Sequence, residues 1–383
     1  MAKKIMFSVG EVSADRHGGI LAKELKKLSP DLKLFGMGSS KMREAGVDIR
    51  YDVTELSSVG VVEYYDFYKD LEKVRDKMIE LINDEKPDLI ILMDMEGFNI
   101  DLAKRIKHLN IPTLYYITPQ RWVLRLIDRN FIKDVGKYIT KIITMFEDEQ
   151  KLYEKHNIPA SFFGNPVVDS VNITREASEL REELNVKKDA VLIGLLPGSR
   201  KQEIENLTEI FLKSAKIIKD KVNSHFVIPI SHKAYKSYIE DIANKYKTEY
   251  NINISVKIGD SHNLMNACDI LILSSGSATL EALILEKPMV IAYKISKITF
   301  LLGKLLYKYK YIGLPNMLAK KSVVPELLQK DANPEQIALE TIKILEDEKR
   351  IEKIKNEFKK VKKNIGSKGV VKEVAREIIK LIN

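Results

Sequence analysis

The sequence predicts an α/β protein built as two parallel-sheet domains. Three observations predict it. Short apolar runs alternate with longer amphipathic stretches through both halves of the chain, the pattern of buried parallel strands covered by helices on both faces. The length of 383 residues suits roughly two domains. A Gly164-Asn165-Pro166 turn, followed by a charged helical stretch over 175–188, marks a hinge between the halves. The expected division is 1–166, 167–348, and a tail of basic helices over 349–383 that packs back on an N-terminal domain.

In chain order, residues 4–9 read as the first strand. Gly10-Glu11-Val12-Ser13-Ala14-Asp15 has loop chemistry, and a helix is expected over 18–27. Strands follow at 32–37, 89–93, 113–117 and 139–145. In such sheets ligands sit beyond the carboxyl ends of the strands, so the exit loops carry the candidate chemistry. Three stand out: Gly10–Asp15, Asp94-Met95-Glu96-Gly97-Phe98-Asn99, and Thr118-Pro119-Gln120-Arg121-Trp122. Glu11, Asp15, Asp94 and Glu96 all lie on them. A carboxylate there can act as general base toward a hydroxyl nucleophile, or simply cap a helix. For any single one capping is the commoner role, and the recurrence on one sheet favours a site for the set.

The second half repeats the plan, with strands expected at 191–196, 226–229, 254–258, 270–273 and 289–293. The first runs into Pro197-Gly198-Ser199-Arg200. Ser199 and Gln202 have capping-box spacing, so a helix is expected to start there. A strand breaking through glycine into a helix N-terminus favours an anion, and Arg200 adds a planar cation suited to phosphate. An ordinary link with a surface arginine fits the same residues. The strand at 270–273 runs into Ser275-Gly276-Ser277-Ala278-Thr279-Leu280-Glu281, a second turn with phosphate-gripping groups. Glu281, expected on the first turn of the new helix, can accept hydrogen bonds from a ribose diol or serve the helix dipole. Two such turns on one sheet fit a nucleoside diphosphate. Neither Gly-x-Gly-x-x-Gly nor a P-loop is present.

Composition narrows the field further. Hydrophobic residues make up 45% and charged residues 31%, an ordinary globular balance. One cysteine, Cys268, permits no internal disulfide and reads as a small buried hydrophobe. No closely spaced His/Cys/carboxylate set reads as a metal site, and no cofactor is expected. No secretory signal is visible, and no stretch approaches the ~20 apolar residues of a membrane span. Of the formal +9, residues 349–383 carry an excess of +8, with 12 Lys/Arg against 4 Asp/Glu. The body is near neutral, which argues against nucleic acid. Residues 295–312 mix Leu, Ile and Phe with lysines and interleaved tyrosines, as in an interfacial helix or one packed on the body.

With these residues named, the chain resembles the lipid-A-disaccharide synthase family of two-domain nucleotide-sugar glycosyltransferases, over nearly its whole length. The resemblance rests on Leu195–Arg200 with Glu203-Ile204, Ser275–Glu281, Met289–Lys294, Leu314-Pro315-Asn316-Met317-Leu318-Ala319 and Val324–Gln329. It implies two Rossmann-like domains facing a cleft, in a GT-B-type architecture. It also implies transfer, with inversion, from UDP-2,3-diacylglucosamine to 2,3-diacylglucosamine 1-phosphate, releasing UDP. The UDP-sugar side would comprise Gly198, Ser199, Arg200, Glu203, Ser275, Gly276, Ser277, Thr279, Glu281 and Asn316. The acceptor side would comprise Gly10, Glu11, Ser13, Asp15, Asn99, Trp122 and Asn165, with Asp94 and Glu96 as candidate catalytic bases. A peripheral enzyme on the cytoplasmic face of the inner membrane is implied, with an acylated sugar phosphate acceptor and room for a homodimer.

Departures cluster in the N-terminal half. Ala14, Val59, Leu124 and Asn165 stand where the family has glycine, methionine, tryptophan and histidine. Gly97 stands where the family's second aspartate, its expected acid/base residue, belongs, and Glu96 is one position early. These changes motivate two alternatives: a different glycolipid or prenyl-phosphate acceptor, or a nucleotide-sugar-binding paralogue without transfer activity.

Overall fold

The computed structural model describes residues 2–10, 12–52, 64–118, 129–230, 233–295 and 310–383, with backbone alone at 12–13, 64–70 and 129. Glu11, the side chain of Ser13, the stretch 58–63, Pro119 to Trp122, Leu124 and most of 295–312 therefore lie outside the described residues. The chain divides into two units, Met1–Ser170 with Ile365–Asn383, and Val171–Asn364.

The first unit is a parallel sheet in the order β3-β2-β1-β4-β5-β6-β7. Its strands are β1 (Lys4–Val9), β2 (Lys33–Gly38), β3 (Asp48–Asp52), β4 (Leu89–Met93), β5 (Thr113–Tyr116), β6 (Lys141–Thr144) and β7 (Ala160–Phe162). Side chains alternate across the pleat. Ile5, Phe7 and Val9 pack on one face with Leu21, Leu25 and the last helix of the chain. Met6, Ile90 and Leu92 pack on the other with Met78, Ile82 and Leu102. Both faces are thus apolar, which accounts for the continuous hydrophobic runs in the sequence.

The second unit is a parallel sheet in the order β10-β9-β8-β11-β12-β13. Its strands are β8 (Val191–Leu196), β9 (Ser224–Ile230), β10 (Ile254–Ile258), β11 (Ile270–Ser274), β12 (Met289–Tyr293) and β13 (Glu326–Leu328). In each unit the strand order reverses around the first strand. Ligand crevices in such sheets open at this reversal. It places the exits of β1 and β4 side by side in one unit, and those of β8 and β11 in the other.

Several expectations need correction. The sequence reading omits β3, β7 and β13, which are edge strands without a buried apolar run. The first helix spans Val12–Leu28, so Gly10 to Asp15 is not a six-residue loop. Gly18 and Gly19 sit inside that helix because it crosses the short helix Ser40–Glu44 closely. A Cβ on Gly19 would lie 2.7 Å from the Lys41 carbonyl oxygen, and one on Gly18 2.7 Å from the Met42 sulfur.

The boundaries fall at Ser170/Val171 and Asn364/Ile365, not at 166/167 and 348/349. The helix Glu348–Ile365 stays with the second unit almost to its end, held by Lys362 on the Ile284 carbonyl and by Lys321 on Glu357. Only the helix Val370–Ile382 returns to the first unit, where Asp169 accepts the Gly369 and Val371 N–H groups at 2.6 and 2.7 Å.

Candidate functional site

In the second unit, β8 ends at Leu196 and the chain turns at Gly198, whose φ of +129° suits glycine. A Cβ there would fall 2.3 Å from Glu203 Oε2. The helix Lys201–Lys219 follows, with Arg200 as its N-cap. Glu203 reaches back from the first turn, and Ser199 and Arg200 donate their N–H groups to Oε2 at 3.1 and 3.4 Å. The cap is therefore made by Glu203 rather than by the predicted Ser199/Gln202 pair. The reason is electrostatic: a carboxylate at a helix N-terminus gains from both the hydrogen bonds and the dipole.

Glu203 thus shapes the turn from behind and already occupies two N–H groups that the sequence reading left for phosphate. Arg200 projects outward, its side chain 72% exposed, with Nη1 3.8 Å from Glu203 Oε1. A small pocket beside the turn is lined by Pro197, Gly198, Ser199, Ile230, Tyr235 and Ile239.

The exit of β11 lies next door. Ser275 and Gly276 lead into the helix Ser277–Ile284. Gly276 is extended, and a Cβ there would meet nothing within 4 Å, so its face of the turn is open. Thr279 is buried and donates to the Gly276 carbonyl at 2.7 Å. It fastens the turn from within, its hydroxyl spent as a donor on the protein's own backbone. Glu281 falls on the second turn of this helix, not the first, because the helix already begins at Ser277. Its Oε2 lies 3.3 Å from His262 Nε2. Sequence reasoning did not single out His262, because nothing in its neighbourhood there shows the contact.

Asn316 needs a larger correction. It is fully buried. Its amide donates to the Val324 carbonyl at 2.8 Å and to Glu326 Oε1 at 2.7 Å, and its oxygen accepts from Val323 and Val324 N–H at 2.7 and 3.0 Å. Two donors and two acceptances fill an asparagine amide, so Asn316 is structural. Glu326 also accepts the N–H groups of Ile312 and Gly313, and Ser275 Oγ donates to the Ile312 carbonyl at 3.4 Å. Through these contacts Asn316 and Glu326 support the second turn from below. Burial pushes the Glu326 carboxyl up, and the hydrogen bonds it accepts offset part of that rise.

In the first unit, β4 exits through Asp94 and Met95, two consecutive non-glycine residues at φ of +56° and +41°. Left-handed residues of this kind cost about 1–3 kcal/mol each and persist only where their surroundings hold them. Here the Asp94 carbonyl is gripped by Asn99 Nδ2 at 2.7 Å and by the Tyr115 hydroxyl at 2.8 Å. Asn99 is itself buried, donating to the Met93 carbonyl and accepting from Ser8 Oγ at 2.6 Å. The Met95 side chain lies against the exit of β1, where a Cβ on Gly10 would fall 2.0 Å from Met95 Cγ. Gly10 is thus required for packing at the strand reversal. Burial first, then the Asp94 and Glu96 charges, push the Tyr115 hydroxyl well above the usual phenol range. Glu96 and Gly97 open the helix Glu96–Arg105, and a Cβ on Gly97 would meet nothing within 4 Å.

Two other assignments in this unit are corrected. Asp15 is buried and spends its carboxylate on the N–H groups of Ser39, Lys41 and Met42 at 2.6, 2.9 and 3.3 Å. It caps the neighbouring helix, and its carboxylate is turned inward rather than to the strand-exit surface. Asn165 is fully buried, donates to the Met145 carbonyl and accepts from Val167 N–H. Asn99, similarly, acts through Asp94 and touches no open surface. Cys268 is buried, and burial raises its thiol, as a packing residue requires. Among the described residues no group of three or more His, Cys, Asp or Glu can hold a metal ion, and no helix is long and apolar enough to cross a membrane.

Residues 5–379 match the family described as lipid-A-disaccharide synthetase. The chain is similar to the lipid-A-disaccharide synthase of Persephonella marina, with 35% identity over 379 residues and 97% of each chain covered. It is 32% identical over 354 residues to that of Methylobacillus flagellatus, covering 92% of each. Among solved structures it resembles the UDP-GlcNAc 2-epimerase of Neisseria meningitidis bound to UDP-GlcNAc. There the TM-score is 0.68 at 14% identity, with 98% of this chain and 100% of that one covered, a likeness of fold.

Proposed function

The chain belongs to the lipid-A-disaccharide synthetase family and is a glycosyltransferase, and from that premise we propose how its own residues carry the transfer. The reaction joins UDP-2,3-diacylglucosamine to 2,3-diacylglucosamine 1-phosphate, giving the disaccharide 1-phosphate and UDP. An acceptor hydroxyl oxygen attacks the anomeric carbon of the donor. The bond from that carbon to the diphosphate breaks, its electron pair leaves with UDP, and the hydroxyl proton passes to a base.

The donor diphosphate is assigned to the paired exits of β8 and β11. Arg200 supplies the cation, and Ser199, Ser275, Gly276 and Ser277 supply hydroxyl and backbone donors. Charge developing on the leaving group is stabilised best by donors already fixed in place. Gly198 and Glu203 fix the first turn, and Thr279, Asn316 and Glu326 fix the second. Glu281 takes the ribose diol.

On the acceptor side, Asp94 and Glu96 are the candidate bases. Asp94 is favoured by its place at the exit of β4, on a left-handed backbone whose carbonyl is clamped by Asn99 and Tyr115, with Oδ1 accepting the Met95 N–H at 3.0 Å. Glu96 stands beside the position left open by Gly97. We assign the enzyme to the cytoplasmic face of the inner membrane as a peripheral protein, a reading that its acylated substrates support at the level of a membrane surface. The observation that carries the whole reading is the family match over 5–379, supported by the placement of both donor turns on the strand reversal. The test is incubation with the UDP-diacylglucosamine donor and the acyl-sugar phosphate acceptor. Disaccharide with stoichiometric UDP is expected, and its absence under conditions where UDP binds would refute the assigned acceptor.

A further inference from the structure

The pairing of His262 with Glu281 carries an inference beyond the donor-site reading. His262 lies in the first turn of the helix Ser261–Ala267 after β10, and β11 separates it from the helix that carries Glu281. The two side chains meet with Nε2 3.3 Å from Oε2, each about one-eighth exposed, at 13% and 12%. The other ring nitrogen, Nδ1, accepts the Asn172 N–H at 3.4 Å. A nitrogen that accepts carries no proton, so in the neutral ring the single proton sits on Nε2 and is donated to Glu281. The next residue, Asn263, is fastened to the same stretch of backbone. Its Oδ1 accepts the N–H groups of Thr174 and Arg175 at 2.9 and 3.3 Å, and its amide donates to Thr174 Oγ1 at 3.0 Å. Arg175 then reaches Asp260 at 3.3 Å. The histidine is therefore mounted on the first turn of a braced helix, with its ring held at both nitrogens.

We propose that His262 is a positioning residue that sets the orientation of the Glu281 carboxylate, and through it the selection of ribonucleotide over deoxyribonucleotide donors. This rests on the reading of Glu281 as the diol-binding acid. A glutamate has three rotatable side-chain bonds, and a carboxylate accepts about four hydrogen bonds. Holding Oε2 with one N–H restricts the plane in which the carboxylate can meet two vicinal hydroxyls. The orientation is then set before the nucleotide arrives, which lowers the entropic cost of binding. A mobile carboxylate would still attract a hydroxyl, but it would discriminate less between one hydroxyl and two.

The test measures the affinities of UDP and 2′-deoxy-UDP for the full chain and four variants, with melting temperature as the folding check. H262A should weaken UDP binding about tenfold, the size of one lost charge-assisted hydrogen bond, and compress the UDP to 2′-deoxy-UDP ratio toward that of E281A. H262Q places an amide N–H near the Nε2 position and should restore the ratio. H262N, whose amide is too short to reach, should not. This Gln/Asn contrast stands even if H262A folds poorly. A wild-type ratio in H262A and H262N, with the ratio lost in E281A, would overturn the role of His262 while keeping that of Glu281. A wild-type ratio in E281A would overturn the diol reading itself, and the proposal with it.

Discussion

Glu149 offers a prediction whose size follows from the structure. It is buried at 1% exposure beneath the exits of β5 and β6, accepts from Thr118 Oγ1, and takes the Met145 N–H at 3.0 Å. Burial raises its carboxyl from 4.5 to about 7, against the lowering effect of those hydrogen bonds. The unfolded chain releases this proton near 4.5, while the folded chain keeps it to about 7. Between those values the unfolded state binds fewer protons, so stability falls as pH rises. At about 1.4 kcal/mol for each pH unit between the two values, the loss is about 3 kcal/mol, absent below pH 4.5 and complete above about pH 7. E149Q keeps the shape, stays neutral, can donate to Thr118 and can accept from Met145. It should match wild type near pH 4.5 and exceed it by about 3 kcal/mol at about pH 8. Urea unfolding of the full chain followed by tryptophan fluorescence measures this, because the sole tryptophan, Trp122, falls within Met1–Ser170. Equal pH slopes in the two proteins, or a less stable variant above neutral pH, would refute the reasoning.

Other variants test the site itself. R200A removes an exposed guanidinium and should weaken UDP binding about tenfold without altering the unfolding transition. Unaltered UDP affinity would show that the diphosphate lies elsewhere. D94A and E96A should separate the two candidate bases: the true one loses about a hundredfold or more in kcat with donor affinity retained, and unchanged turnover in both removes the base assignment. N316A strips a buried amide from four partners and should cost about 3 kcal/mol of stability. The folded fraction should still bind UDP, and a loss of UDP affinity with unchanged unfolding would return Asn316 to the ligand-contacting set.

The sequence by itself determined the α/β class, the repeated strand-helix plan and the two strand-to-helix turns after β8 and β11, because each is encoded locally. Residues 191–196 and 270–274 are continuous apolar runs ended by glycine and hydroxyl residues, and burial on both faces of a parallel sheet demands such runs. Three edge strands escaped for the converse reason: β7 and β13 are only three residues long, and β3 (Asp48-Ile49-Arg50-Tyr51-Asp52) is charged with no fully buried residue. What a polar residue does once the strand ends was decided only by tertiary structure. Asp15, Asn165, Asn316 and Thr279 look like ligand residues in the sequence and are consumed by backbone groups of the protein itself. His262 and Tyr115 gave no signal, yet they meet Glu281 and the Asp94 carbonyl across the fold. A polar side chain's hydrogen-bonding capacity is written in its chemistry, but whether a ligand or the protein fills it depends on which backbone the fold brings within about 3 Å.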